Sequence, residues 1–186
     1  MHIAWTQAVL YQSPAVLGRQ LAPLSPLHVL TLEAVNSPFM VGGVSGLDDL
    51  ILAVHICATQ WGTRAGIFAN EKLLRKWGRQ HRRADWRAEM GAFHTYLDES
   101  WTTPDKWGKG ASGAAKAPGA YHLAVFAMRN LGMAEAQAWD CPIARLICYR
   151  EAFAEQERGE SDLMTDEEKR GIEVLKTDER KRHGAG

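Results

Sequence analysis

The chain has 186 residues, and its 22 basic and 22 acidic side chains cancel at pH 7. This length is enough for one domain with a substantial core, and 46% hydrophobic with 24% charged residues is typical of a globular protein. The neutral total excludes a global field that would attract nucleic acid or an anionic membrane. No apolar run approaches the roughly 18 residues that a membrane span needs, and no signal-like segment opens the chain, so we expect a cytoplasmic protein.

The first third of the sequence predicts an N-terminal segment with an interrupted helical pattern, followed by one short helix and a loop. The apolar residues within 4–20 recur only weakly at helical spacing, and Pro14 interrupts this pattern. Ser25 followed by Pro26 is typical of a helix N-terminus, so we expect a helix over 26–35. Three glycines then predict a loop over 36–46.

Three amphipathic helices are expected in the middle of the chain. Ser45 and Asp48 form a capping-box pattern before a core helix with apolar side chains at Leu47, Leu50, Ile51, Val54 and Ala58. A second helix follows Arg64 and has apolar and basic faces. A third is expected over 83–99, with one buried face.

The second half predicts a long loop and then four helical segments. Residues 102–119 are rich in Gly, Ala, Lys, Pro and Ser, which is typical of a mobile loop. A buried helix containing Leu123, Ala124, Ala127 and Met128, with Tyr121 and Val125, is expected to end before Gly132, and a two-turn helix follows it. Asp140 is expected to cap a further helix that has Pro142 in its first turn and ends at Gly159.

The last segment is expected to be a polar helix over 166–180 with a frayed end, opened by a capping box of Thr165 and Glu168. No alternating β-branched run or Asn-Gly hairpin signal occurs in the sequence. The sequence therefore predicts an all-α, compact multi-helix bundle with at most a minor hairpin. Residues 1–160 form its single domain, and residues 161–186 form the polar helix and tail.

No residue pattern indicates catalysis, a cofactor or a metal. The histidines form no HExxH motif and the three cysteines no CxxC pair, so His28 and His55 are interpreted as hydrogen-bonded core residues. The glycine-rich segment 42–46 lacks the GK[ST] ending of a phosphate-binding loop. Cys141 is placed at a helix N-terminus, where a thiol pKa can fall, but no partner base is evident and a small apolar role is favoured. We therefore expect a protein that is not an enzyme.

Charge is distributed unevenly along the chain. Residues 64–87 contain eight basic and two acidic side chains, a net charge of +6, whereas residues 151–180 contain five basic and eleven acidic ones, a net charge of −6. The two segments can pair within one molecule, pair between copies head to tail, or stay separately solvated. The candidate basic patch consists of Lys72, Arg75, Lys76, Arg79, Arg82, Arg83 and Arg87.

Large apolar and aromatic side chains are the candidates for binding a partner protein, although each also fits a core position. They are Leu47, Leu50, Val54, Trp61, Trp77, Trp86, Tyr121, Val125 and Trp139. Basic residues interleaved with Trp77 and Trp86 also fit a loose nucleic-acid-binding pattern. The neutral total and the absence of a recognition motif disfavour that interpretation.

Two stretches resemble a known family. The first is LSPLHVLTLEAVNSPF from Leu24, which continues through a glycine-rich turn to Val54, and the second is NLGMAEAQAWDCPIARL from Asn130, which continues to Glu155. They are similar to the N-terminal half and the C-terminal "AWDxP" helices of phage tail assembly chaperones. The resemblance implies a helical protein that binds the tape-measure protein in the host cytoplasm and keeps it soluble until the tail tube assembles.

Two other functions remain open at this point. The first is a structural virion or neck component that assembles through the oppositely charged segments and stays in the particle. The second is a small DNA-binding protein that uses residues 72–87, whose affinity for DNA would fall steeply with salt.

Overall fold

The computed structural model describes residues 8, 10, 12–59, 71–81, 83–101, 119–159, 164 and 166–183. In these ranges the chain is mostly helical, with one two-stranded hairpin, so the predicted all-α class is confirmed. None of the helices in the described part of the chain combines the length and the apolar character needed to cross a membrane. The expected loop over 102–119 lies outside the described residues except for its last position.

A short hairpin lies where the sequence suggested a weak helix. Strands β1 (Ala15–Val16) and β2 (Arg19–Gln20) pair antiparallel, with Val16 opposite Arg19. Leu17 and Gly18 between them have φ of 49° and 68°, the left-handed conformation of a type I′ turn. The Glu89 carboxylate accepts a hydrogen bond from the Leu17 N–H at 2.7 Å. The helical interpretation was therefore wrong for residues 12–20, because burial of Val16 and Leu17 and this distant carboxylate favour the turn.

Helices α1 (Pro26–Ala34) and α2 (Pro38–Val41) begin in the same way, with a serine at the N-cap and a proline in the first turn. The structure confirms α1 and ends it one residue before the predicted limit. The loop predicted over 36–46 is wrong at α2. Pro38 presets helical φ there, and Phe39 packs edge-on against Phe93 with ring centroids 4.8 Å apart.

Helix α3 (Leu47–Cys57) begins one position later than the sequence indicated. Gly46 is the N-cap, and the Asp49 carboxylate accepts a hydrogen bond from its N–H at 2.8 Å. Ser45 instead directs its hydroxyl toward the Met90 sulfur at 3.5 Å. The apolar stripe of α3 enters the core as expected, with Leu50 fully buried.

Helices α4 (Glu71–Gln80) and α5 (Trp86–Ser100) follow. The Asp85 carboxylate accepts hydrogen bonds from the N–H groups of Arg87 and Ala88, so α5 begins three residues after the predicted start. The predicted beginning of the preceding helix, near Arg64, lies outside the described residues.

Helix α6 (Gly119–Asn130) is amphipathic, which corrects one expectation. Its buried face consists of Ala120, Leu123, Ala124 and Ala127, whereas Tyr121 and Val125, expected in the buried helix, are exposed. The small alanines let a neighbouring helix approach closely, so they occupy the interior face. The larger side chains are displaced to the surface.

Helices α7 (Glu135–Asp140) and α8 (Ile143–Arg158) are joined by a tight connection. Asp140 is the last residue of α7 and does not cap α8, which is a correction. Pro142 lies at the N-cap position, and the Ile143 N–H donates to the Leu24 carbonyl at 2.8 Å. A distant backbone group thus satisfies this donor. Gly159 ends α8 in the left-handed conformation, as predicted.

Helix α9 (Asp166–His183) begins where the sequence predicted and runs three residues further. Its described side chains are exposed or half-buried. In the core, α1 packs against α3, α6 and α7, and α3 packs against α4 and α5. Residues 24–54 and 130–155 therefore contact one another where α1 packs against α7.

Candidate helix-binding groove

A groove of about 930 Å³ lies between α3 and α4. We call it the α3–α4 groove and define it by the residues that line it: Leu47, Asp48, Ile51, Leu52, Lys72, Leu74, Arg75, Gly78 and Arg79. Four of these side chains are aliphatic and three are cationic. The groove therefore combines an apolar floor with a basic rim.

The floor exists because two helix faces meet at a glycine. A Cβ atom at Gly78 would lie 3.1 Å from the Ile51 Cδ1 atom, which is closer than ordinary contact. Glycine thus lets the backbone of α4 approach α3. On the inner side of α4, Trp77 is buried, and the Arg19 guanidinium stacks 4.3 Å from its ring centroid. This cation–π contact fixes α4 against the hairpin.

The rim follows from helical spacing in α4. Lys72, Arg75 and Arg79 are separated by steps of three and four residues, which place them on one side of a helix. All three side chains are exposed. Among the described residues that line the groove, the single acidic one is Asp48 on α3. The lining therefore favours a ligand that carries negative charge beside an apolar surface.

Exposed apolar side chains also precede α3 in the chain. Val41, the last residue of α2, is 59% exposed, and Val44, in the loop that leads into Leu47, is 98% exposed. Gly42 and Gly43 give this loop positive φ angles. The segment that leads to the groove is therefore partly apolar and exposed, which is typical of surfaces that contact a partner.

The structure brings only some of the predicted partner-binding residues to the groove. Leu47 lines it. Leu50 and Val54 are fully buried in the core, so they have no accessible surface for a partner in this conformation. Trp77 is buried beneath Arg19, and Trp61 lies outside the described residues.

The remaining predicted partner-binding residues lie on other elements. Trp139 is buried on α7 and packs edge-on against Tyr121, with centroids 5.1 Å apart. Tyr121 and Val125 are exposed on α6, and Trp86 is exposed on α5 beneath the Arg87 guanidinium. These exposed side chains are not part of the groove lining.

The predicted basic patch divides in the same way. Lys72, Arg75 and Arg79 line the groove, while Lys76, Arg83 and Arg87 are exposed beside it. Arg82 lies outside the described residues. Ile51, Leu52 and Leu74 also line the groove, although the sequence pattern did not mark them as candidates and placed Ile51 in a core helix. The available signal was Gly78, an isolated glycine inside an amphipathic helix, which indicates close backbone approach.

Burial favours the neutral forms of His28 and of the three cysteines. His28 is hydrogen-bonded to the Ser25 N–H and the Thr59 carbonyl, and burial lowers its pKa. Burial raises the pKa of the Cys57 thiol to about 12 and also raises those of Cys141 and Cys148. Cys141 lies at the C-cap of α7 and not at the helix N-terminus that the sequence suggested, and desolvation by burial outweighs the lowering effect of Arg145 on its pKa. Among the residues described, no cluster of His, Cys, Asp and Glu is arranged to hold a metal ion.

Comparison of the chain with known protein families, with curated proteins and with solved structures gave no match.

Proposed function

We propose that this protein is a non-enzymatic assembly chaperone that holds a helical segment of a client protein in the α3–α4 groove. The observation that supports this function is the groove itself, with its aliphatic floor and its rim of three cations. Grooves between helices bind amphipathic helices through apolar side chains at steps of three and four residues.

The dimensions and charges of the groove define the client segment. Lys72 and Arg79 are seven residues apart, so the rim is about 10 Å long and matches two turns of helix. Two or three aliphatic side chains of the client would rest on the half-buried Leu47, Leu52 and Leu74. Acidic residues beside them would face the rim. The preferred client segment is therefore a short amphipathic helix with a negative flank.

The resemblance to tail assembly chaperones supports a more specific client. We propose that the client is the tape-measure protein of a tailed phage or prophage, a long helical chain with apolar faces. Binding in the host cytoplasm would cover those faces until the tail tube forms around them. The two similar stretches lie against each other where α1 packs on α7.

The test is co-expression with the tape-measure protein encoded beside this one, followed by size-exclusion chromatography. The groove variant carries Lys72→Glu and Arg79→Glu. The control variant carries Arg83→Glu and Arg87→Glu, which make the same charge change outside the groove lining. The wild type and the control are expected to keep the long protein soluble in a shared peak. The groove variant is expected not to keep the long protein soluble, so that no shared peak is seen.

The proposal fails if the wild type does not elute with the long protein, or if the control variant loses the client as completely as the groove variant. Circular dichroism of each variant checks that the helices are intact. If the wild type binds duplex DNA and both variants bind it more weakly, the DNA-binding alternative is supported instead.

A further inference from the structure

We infer that Asp48 makes the α3–α4 groove selective for the direction of the helix that it binds. This inference rests on the groove assigned under the proposed function and specifies the client further. The client segment is a helix with acidic residues along one flank of its apolar stripe and a basic residue along the other flank.

The charges of the groove are divided between its two walls. The cationic lining residues all belong to α4, and they are Lys72, Arg75 and Arg79. Helix α3 contributes Asp48 together with aliphatic side chains. Asp48 precedes Ile51 and Leu52 by three and four residues, which places it on the side of α3 that faces the groove. The α4 wall is therefore positive and the α3 wall negative.

Three of these charged groups are available to a ligand. The side chains of Asp48, Lys72 and Arg79 are exposed, and no ion pair in the described part of the chain includes any of them. Arg75 is exposed as well, but it already interacts with another group of the protein. Charges without a partner in the free protein are the ones that complementary charge on a ligand satisfies. A fitting client therefore offers two acids to α4 and one base to α3.

Oppositely charged walls fix the direction of a bound helix. A helix that rests its apolar stripe on the floor presents one flank to α3 and the other flank to α4. Reversing its N-to-C direction, with the stripe still on the floor, exchanges the two flanks. A client with one acidic and one basic flank thus meets opposite charge on both walls in one direction and like charge on both walls in the other. Like-charge contacts exclude the second direction.

Two synthetic helical peptides of identical composition test the charge on the α3 wall. Both have leucines along one stripe and glutamates along the first flank. The first peptide has lysines along the second flank and glutamates on its outer face. The second peptide has these two sets exchanged, so both of its flanks are acidic. Because the net charges are equal, a difference in affinity reports where the charges lie.

Isothermal titration calorimetry compares the wild type with charge-changing variants. The wild type is expected to bind the first peptide about threefold or more tightly than the second, since attraction at Asp48 replaces repulsion. Asp48→Lys is expected to reverse this order, and Asp48→Asn to remove it. Asp98→Lys makes the same charge change at an exposed position of α5 outside the groove lining, and it is expected to keep the wild-type order. Circular dichroism checks that each variant remains helical.

Photo-crosslinking measures the direction itself. A benzophenone at the N-terminus of the first peptide is expected to label one end of the groove, near either Lys72 or Arg79, which mark the two ends of the rim. A third peptide has the acidic and basic flanks exchanged, and its N-terminal benzophenone is expected to label the opposite end. Mass spectrometry of the labelled fragments distinguishes the two positions.

Equal affinity of the wild type for the first two peptides overturns the inference, and so does an order that Asp48→Lys leaves unchanged. Labelling of both ends of the groove by one peptide also overturns it. In these cases the peptides still bind in the groove, so the proposed function stands. A wild type that binds none of the peptides overturns the groove assignment and this inference together.

Discussion

Replacing His28 by glutamine tests the polar contact that joins the start of α1 to the end of α3. The imidazole is 1% exposed. Its Nδ1 atom accepts a hydrogen bond from the Ser25 N–H at 3.2 Å, and its Nε2–H donates to the Thr59 carbonyl at 2.7 Å. The neutral ring satisfies both contacts. Glutamine is expected to reproduce one of them, which lowers the free energy of unfolding at pH 7 by about 1–3 kcal/mol.

The same contact predicts a pH dependence. Burial lowers the pKa of His28, although the Thr59 carbonyl and the Asp140 carboxylate act in the opposite direction. The unfolded chain, with a histidine pKa of about 6.5, therefore binds more protons than the folded chain as the pH falls below that value. The stabilisation by His28 is complete above about pH 7. It is lost as the pH drops through 6.5 toward the lower folded pKa, by at most about 1.4 kcal/mol per pH unit.

Urea unfolding at pH 7, 6 and 5 measures both effects. The stability difference between wild type and His28→Gln is expected to narrow by about 1 kcal/mol or more between pH 7 and pH 5. His122→Gln, at an exposed position on α6, is the control for loss of a surface imidazole and is expected to change stability at pH 7 by less than about 0.5 kcal/mol. A difference between wild type and His28→Gln that stays constant or widens at low pH would refute the reasoning.

Two further predictions concern the hairpin and the buried thiol. Glu89→Ala is expected to lower the free energy of unfolding by about 1–2 kcal/mol, because the Leu17 N–H loses its carboxylate acceptor in a left-handed turn. Glu99→Ala, at an exposed position on the same helix, is the control. Equal urea midpoints for the two variants would show that the Glu89 carboxylate does not stabilise the turn at Leu17. Because burial raises the pKa of Cys57 to about 12, iodoacetamide at pH 8 is expected to label it only after unfolding. If peptide mass spectrometry finds Cys57 labelled as fast as half-buried Cys141 in the folded protein, the Cys57 thiol is accessible to the reagent and the prediction is wrong.

The sequence alone determined the helical class and the helix ends that depend on neighbouring residues. Ser25 with Pro26 starts α1, and Gly159 ends α8 in the left-handed conformation, as their side-chain chemistry predicts. These signals act within about one helical turn, so they are readable without knowledge of the fold. The buried stripe of α3 was also evident, because helical periodicity marks one face as apolar.

The tertiary structure decided the features whose partners are distant in the chain. The turn at Leu17 is held by Glu89, 72 residues away, and the first N–H of α8 is satisfied by the Leu24 carbonyl. Local sequence does not encode these partners. For the same reason the sequence left a binding surface open for Val54 and Trp77 beside the core position that it favoured, and both lie in the core.

The groove illustrates the same division. Periodicity predicted that α3 and α4 are each amphipathic, and spacing predicted the row of cations on α4. Only the packing of the two helices at Gly78 decided that Leu47, Ile51 and Leu74 form one floor beneath those cations. The sequence by itself thus determined the chemistry of each helix face. The tertiary structure determined which faces meet, because that depends on the close approach of backbones far apart in the chain.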